Sequence, residues 1–180
     1  MSALRLSPEH AAWASLAAAL VNTRPRDTDP AEKLVGVTEL EELLAGCPEP
    51  APAAGERDVG PMRELRPALV EAFEAGTVAR FAEAVNPLLA LAPWQLSAGA
   101  DDDLTLGPVA AQRAAADWFG AHAARGLAEL VIAYGIDRIH LCSADDCLRA
   151  VVDVSRNGTR RYCSRTCANR TNSRRHRSLH

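Results

Sequence analysis

The sequence predicts a mainly α-helical N-terminal domain over residues 1–135 followed by a small α+β module over residues 136–180. Three observations carry this expectation. Amphipathic runs punctuated by helix start and stop signals fill the first three quarters of the chain. Two close pairs of cysteines, Cys142 with Cys147 and Cys163 with Cys167, crowd the last quarter. Between the pairs, an Asn-Gly dipeptide separates two short strand-like segments. A chain of 180 residues with 48% hydrophobic side chains can bury a core in its larger part. The smaller part is too short to form one without a staple.

The helical elements follow in order. Ser7-Pro8-Glu9 caps and opens a helix over 8–21, with Pro at the first helical position, and Asn22 and Thr23 are expected to terminate it. Thr38 and Glu41 form a capping-box pattern that opens a second helix, stopped at Gly46. The stretch 47–55 is a Pro-rich loop, and Cys47 within it reads as an unpaired thiol at a helix end. Residues 61–75 and 78–91 are amphipathic and divided by Gly76-Thr77, a stop followed by a cap. Trp94–Ser97 and Leu104–Leu106 are expected to pair as a hairpin around Asp101, Asp102 and Asp103, which read as a solvated acidic turn. A long helix runs from Pro108 towards Ala133, and residues 135–141 lead into the cysteine-rich module. Trp13, Trp94, Trp118 and Phe119 are expected in the core.

The cysteines are spaced C-x4-C-x15-C-x3-C. Each close pair can close a chelate loop, and four thiolates complete a tetrahedral shell, so the spacing points to one structural zinc ion per chain held by Cys142, Cys147, Cys163 and Cys167. Two disulfides are the competing reading. His140, His176 and His180 stand nearby as substitutes for one thiolate each and are expected to be solvated beside a complete set. Residues 150–154 and 159–162 read as strands of a hairpin turning at Ser155–Gly158, and Ser164 or Thr166 caps a helix beginning near Cys167. Knuckle, hairpin and helix together predict a treble-clef-like module.

Charge divides the chain. The net charge is −3, yet residues 154–180 hold eight arginines and no acid, which leaves 12 cationic against 23 acidic side chains, or −11, on residues 1–153. A basic, metal-ordered tail can neutralise phosphates and release counterions, whereas the acidic body is repelled by them. Arg170, Arg174 and Arg177 share one face of the expected helix, Arg165 and Arg175 flank it, and Arg160 and Arg161 extend the footprint. The plainer reading is a solvated basic tail. Asn169 is expected to bond the local backbone rather than a base.

Cys163-Ser-Arg-Thr-Cys167-Ala-Asn-Arg170, preceded by Arg160-Arg161-Tyr162, resembles the CGNR zinc finger. Cys167, Asn169 and Arg170 match the motif, Ala168 replaces its glycine, and Val151 or Val152 stands where the family has an aromatic residue. Ala19-Leu-Val-Asn-Thr23, Asp27 or Asp29, and Thr38–Leu44 resemble the ABATE domain, the usual N-terminal partner of that finger. The resemblance implies a stress-linked transcription regulator whose finger binds DNA.

No nucleophile elbow, phosphate loop, HExxH or dinucleotide fingerprint is present, so no enzyme is expected. The apolar run 11–21 is too short to span a bilayer, and a cytoplasmic location with no membrane association is expected. Arginine outnumbers lysine 19 to one, as in GC-rich bacterial genomes. The expected partners are DNA, a second copy of the chain, and a small-molecule or protein effector of the body. The alternatives are a zinc-dependent protein-interaction adaptor, whose arginine helix docks an acidic partner, and an RNA-binding protein.

Overall fold

A computed structural model of the chain describes residues 6–24, 31–98, 104–108 and 115–177, the side chains of 175–177 excepted. The first helix, α1 (Pro8–Asn22), starts as its sequence dictates: the Ser7 hydroxyl accepts from the His10 amide at 3.1 Å. It lies against α6 (Ala115–Tyr134), and their close approach depends on a missing side chain. A Cβ at Gly126 would stand 2.5 Å from the Cβ of Trp13 and 2.7 Å from the Ala14 nitrogen. Where the helices meet, Trp13 stacks on His122 at 4.4 Å between centroids and meets Trp118 and Phe119 edge-on, so the aromatic residues pack a core.

Between these helices come α2 (Val37–Ala45), α3 (Glu56–Glu64), α4 (Arg66–Glu74) and α5 (Val78–Leu89). The cap of α2 differs from the one expected at Thr38. Gly36 is the cap residue, and the Glu39 carboxylate accepts from its amide at 2.9 Å. The single helix expected over 61–75 begins earlier, at Glu56, and breaks at Leu65. Pro67 explains the break, because it has no N–H to give to the carbonyl of Arg63 and its ring crowds that oxygen. Gly76, at φ 63°, and Thr77, whose hydroxyl accepts from the Arg80 amide, separate α4 from α5 as expected. Strands β1 (Trp94–Ala98) and β2 (Leu104–Pro108) form the anticipated antiparallel hairpin, with Leu96 opposite Leu106. Arg125 of α6 anchors it, placing its guanidinium over the Trp94 ring and donating to the Leu106 carbonyl. Asp101, Asp102 and Asp103 lie outside the described residues, as do Asp27, Asp29 and the segment 109–114 at the expected start of the long helix.

After Gly135 (φ 92°) and a 3-10 turn at Ile136–Arg138, β3 (Ile139–Leu141) pairs antiparallel with β4 (Ala150–Val152). This corrects the expected hairpin, since β4 was to pair with residues 159–162, which form no strand. In β4, Ala150 and Val152 enter the helical core while Val151 enters the cysteine cluster, so the strand is buried on both faces. At Ala150 one edge of the strand is taken by the Asn22 side chain, which bonds both its N–H and its carbonyl, and β3 occupies the other edge. The last helix, α7 (Arg165–Arg177), projects from the module. Among the described residues no helix is long and apolar enough to cross a membrane.

Candidate metal centre and basic surface

Short backbone bonds shape the centre. Cys142 N–H donates to the Arg149 carbonyl and Cys147 N–H to the Ala144 carbonyl, at 2.8 and 2.9 Å, which folds residues 142–149 into a knuckle. The Arg161 carbonyl accepts from Ser143 N–H at 2.9 Å and draws the second cysteine pair against it. The Ser164 hydroxyl then accepts from the Cys167 amide at 3.2 Å, so Ser164 is the cap of α7 and Cys167 sits in its first turn. The four sulfurs of Cys142, Cys147, Cys163 and Cys167 all lie within 4.8 Å of one another.

Cys147 to Cys163 and Cys163 to Cys167 measure 3.7 and 3.6 Å between sulfurs. Four thiolates at the usual zinc–sulfur distance of about 2.3 Å in a tetrahedron would stand about 3.8 Å apart, and a disulfide would need about 2.05 Å. All four cysteines are unpaired, and the set fits one structural Zn2+. Burial, with the neighbouring cysteines adding to it, pushes the Cys147 thiol up to about 12, so a cation among the sulfurs is what would draw off its proton. His140 is not in the cluster and is half-buried. Its ring nitrogens lie 2.7 and 2.9 Å from the carbonyls of Leu141 and Arg160. The side chain of His176 and all of His180 lie outside the described residues. Cys47 is a free, half-buried thiol pushed up to about 12 by burial and the neighbouring Glu49, and so is poorly nucleophilic.

Asp153, only 1% exposed, holds the segment after β4. Its carboxylate accepts from the amides of Ser155 and Arg160 at 2.9 and 2.8 Å. Burial raises its pKa, but these bonds and the Arg138 guanidinium outweigh that and keep the carboxyl below the usual range. Gly158, at φ 62°, packs against Arg138, where a Cβ would meet the guanidinium carbon at 2.7 Å. A further joint ties the module to the body. The Asn22 side chain donates to the Ala150 carbonyl at 3.0 Å and accepts from the Ala150 amide at 2.9 Å. Asn22 thus does more than end α1; Thr23 supplies the C-cap.

The predicted basic footprint divides in two. The side chains of Arg161 and Arg165 are exposed and make no hydrogen bond or ion pair among the described residues, and that of Arg156, absent from the expected footprint, joins them. Arg160 is exposed but bound to its own loop, donating to the carbonyls of Tyr162 and Cys163 at 3.3 and 3.0 Å. Arg170 and Arg174 both reach Asp146, at 2.6 and 2.9 Å, and their side chains stay 40% and 48% exposed. The side chains of Arg175 and Arg177 lie outside the described residues, so the expected Arg170–Arg174–Arg177 face is described only in part. The Asn169 side chain is exposed and makes no hydrogen bond among the described residues, instead of the backbone bond expected. In the body, Val21, Arg24, Glu32, Arg66, Pro67 and Val70 line a cleft of about 790 Å³. Arg66 grips Glu32 there with two bonds of 2.7 Å.

A helical body joined to a four-cysteine cluster of this geometry defines a zinc-binding protein. The comparisons give the family: residues 14–134 match the ABATE model, described as "Putative stress-induced transcription regulator", and residues 138–180 match the CGNR zinc finger. The chain belongs to the ABATE family and carries a CGNR zinc finger. Neither description is enzymatic. No curated protein matches the chain.

Proposed function

We propose that this protein is a cytoplasmic bacterial transcription regulator that binds duplex DNA through the surface of its zinc module. The observation that carries the reading is the division of charge: eight arginines and no acid in residues 154–180, against −11 on the rest of the chain. The module is the surface that phosphates would accept, and the body the surface they would avoid. The free side chains of Arg156, Arg161 and Arg165 are the available hydrogen-bond donors to phosphate oxygens. One finger covers few base pairs, so a homodimer presenting two modules supplies the length of a specific site. The cleft beside Arg24 and Arg66 is the place for an effector of the body. Ligand assignment to Cys142, Cys147, Cys163 and Cys167, and the division into domains 1–135 and 136–180, belong to this reading.

The test uses the zinc-loaded full chain and duplex DNA at several salt concentrations. Each phosphate contact contributes about −0.9 to the slope of log affinity against log salt, so replacing Arg156, Arg161 and Arg165 with alanine should flatten it by about 2.7. Zinc content must stay at one ion per chain. A triple variant that keeps its zinc and full, equally salt-sensitive binding would sink the assignment, and wild-type protein that binds acidic protein or RNA but not duplex DNA would sink the DNA reading.

A further inference from the structure

We infer that Asp146 is a positioning residue of the finger: its carboxylate, inside the first cysteine loop, clamps α7 through Arg170 and Arg174 and steadies the metal centre, so those two arginines do not serve as nucleic-acid contacts. The DNA consequences rest on the function proposed above; the metal consequence does not.

Little apolar surface holds α7 in place. Among its described residues only Cys167 is buried, so the helix has almost no apolar seat. A helix of 13 residues without packing is marginal in water. Its fixed points are the cap at Ser164, the sulfur of Cys167, and Asp146. Arg170 and Arg174 lie one turn apart, on the same face of α7. Both guanidinium groups reach the same carboxylate, Arg170 Nη2 at 2.6 Å from Oδ1 and Arg174 Nη2 at 2.9 Å from Oδ2. Arg170 also places Nη2 3.6 Å from the sulfur of Cys167, where an N–H can support a thiolate. A lone surface ion pair contributes little. Here one carboxylate, beside Cys147, ties two successive turns of a helix to the opposite cysteine loop, and one of its arginines touches a ligand sulfur. That is a supporting shell around the metal ligands, and such groups commonly tune metal affinity by about 10–100-fold.

The inference carries a sign that simple charge counting reverses. Asp146→Asn makes the basic surface one unit more positive, so electrostatics alone would tighten DNA binding. A lost clamp loosens α7 and weakens it. The experiment uses the full zinc-loaded chain, with zinc transfer to a coloured chelator and salt-dependent DNA binding as separate readings. Asp146→Asn should lose zinc on the order of ten times faster and bind DNA more weakly. Asp146→Glu, which keeps the charge, should return most of the wild-type zinc-release rate. Arg174→Ala should leave the salt slope unchanged, whereas Arg161→Ala combined with Arg165→Ala should flatten it by about 1.8. Wild-type zinc release in Asp146→Asn together with unchanged or tighter DNA binding would overturn the clamp. So would a loss of about 0.9 in slope for Arg174→Ala, because that arginine would then be touching phosphate. If the wild-type chain binds no DNA, the proposed function fails and zinc release in Asp146→Asn and Asp146→Glu decides the clamp alone.

Discussion

Replacing Asn22 with alanine tests the joint between body and finger. The Asn22 amide exchanges two hydrogen bonds with Ala150, and Ala150 is 3% exposed, so truncation leaves a buried N–H and a buried carbonyl without their partner. Each such group costs about 1–3 kcal/mol, and partial relaxation brings the pair to about 2–4 kcal/mol. In a chain of this length each kcal/mol moves the melting temperature by about 2–4 °C, so Asn22→Ala should melt about 5–15 °C lower. Thr23→Ala is the control, because Thr23 Oγ1 only donates to the Leu20 carbonyl within its own helix. That change should cost under about 1 kcal/mol. Thermal denaturation followed by circular dichroism, with zinc content measured alongside, separates the two. An Asn22→Ala protein melting within about 1 °C of wild type, or a Thr23→Ala protein that loses as much, would refute the idea that α1 and β4 are joined through this side chain.

Gly126→Ala should destabilise the fold by about 2 kcal/mol or more despite alanine's better helix propensity, because the new methyl meets α1 at Trp13 Cβ, the Ala14 nitrogen and the His10 carbonyl within 2.9 Å; a variant melting at or above the wild-type temperature would contradict the packing. A second prediction concerns pH: burial, with Arg125 and His10 adding to it, pushes His122 down to about 4 from 6.5. Stability from His122 is therefore full above pH 6.5 and is lost towards pH 4, because the unfolded chain takes up the proton first. Burial, with Glu9 adding to it, pushes Glu49 up to about 7 from 4.5, so Glu49 makes stability fall as pH rises through that window, and the two oppose each other. Glu49→Gln removes the opposing contribution, so stability of the variant should rise more steeply with pH than that of wild type between pH 4.5 and 6.5. Denaturant midpoints with the same pH profile in both proteins would show that Glu49 does not titrate as assigned.

Local chemistry was legible in the sequence wherever a residue acts on its near neighbours. Ser7 and Pro8 start α1, Gly76 and Thr77 separate α4 from α5, and the spacing of Cys142, Cys147, Cys163 and Cys167 matches a donor set that does assemble. Chelate loops and caps close over three to five residues, so their geometry is written in the spacing. The break at Leu65 was legible too, in Pro67, but amphipathic periodicity masked it. What the tertiary structure alone decided lies in contacts across long stretches of chain. Nothing in Ala150-Val151-Val152 tells which strand will pair with it; that depends on what the fold brings to its edges, Asn22 on one and β3 on the other. Asn22 looks like a helix terminator until β4 is brought beside it. The arginines of α7 have the spacing of a basic face, and only the fold brings Asp146, 24 residues away in sequence, within 2.6 Å of Arg170. Periodicity reports which side chains share a surface; only the fold determines what that surface meets.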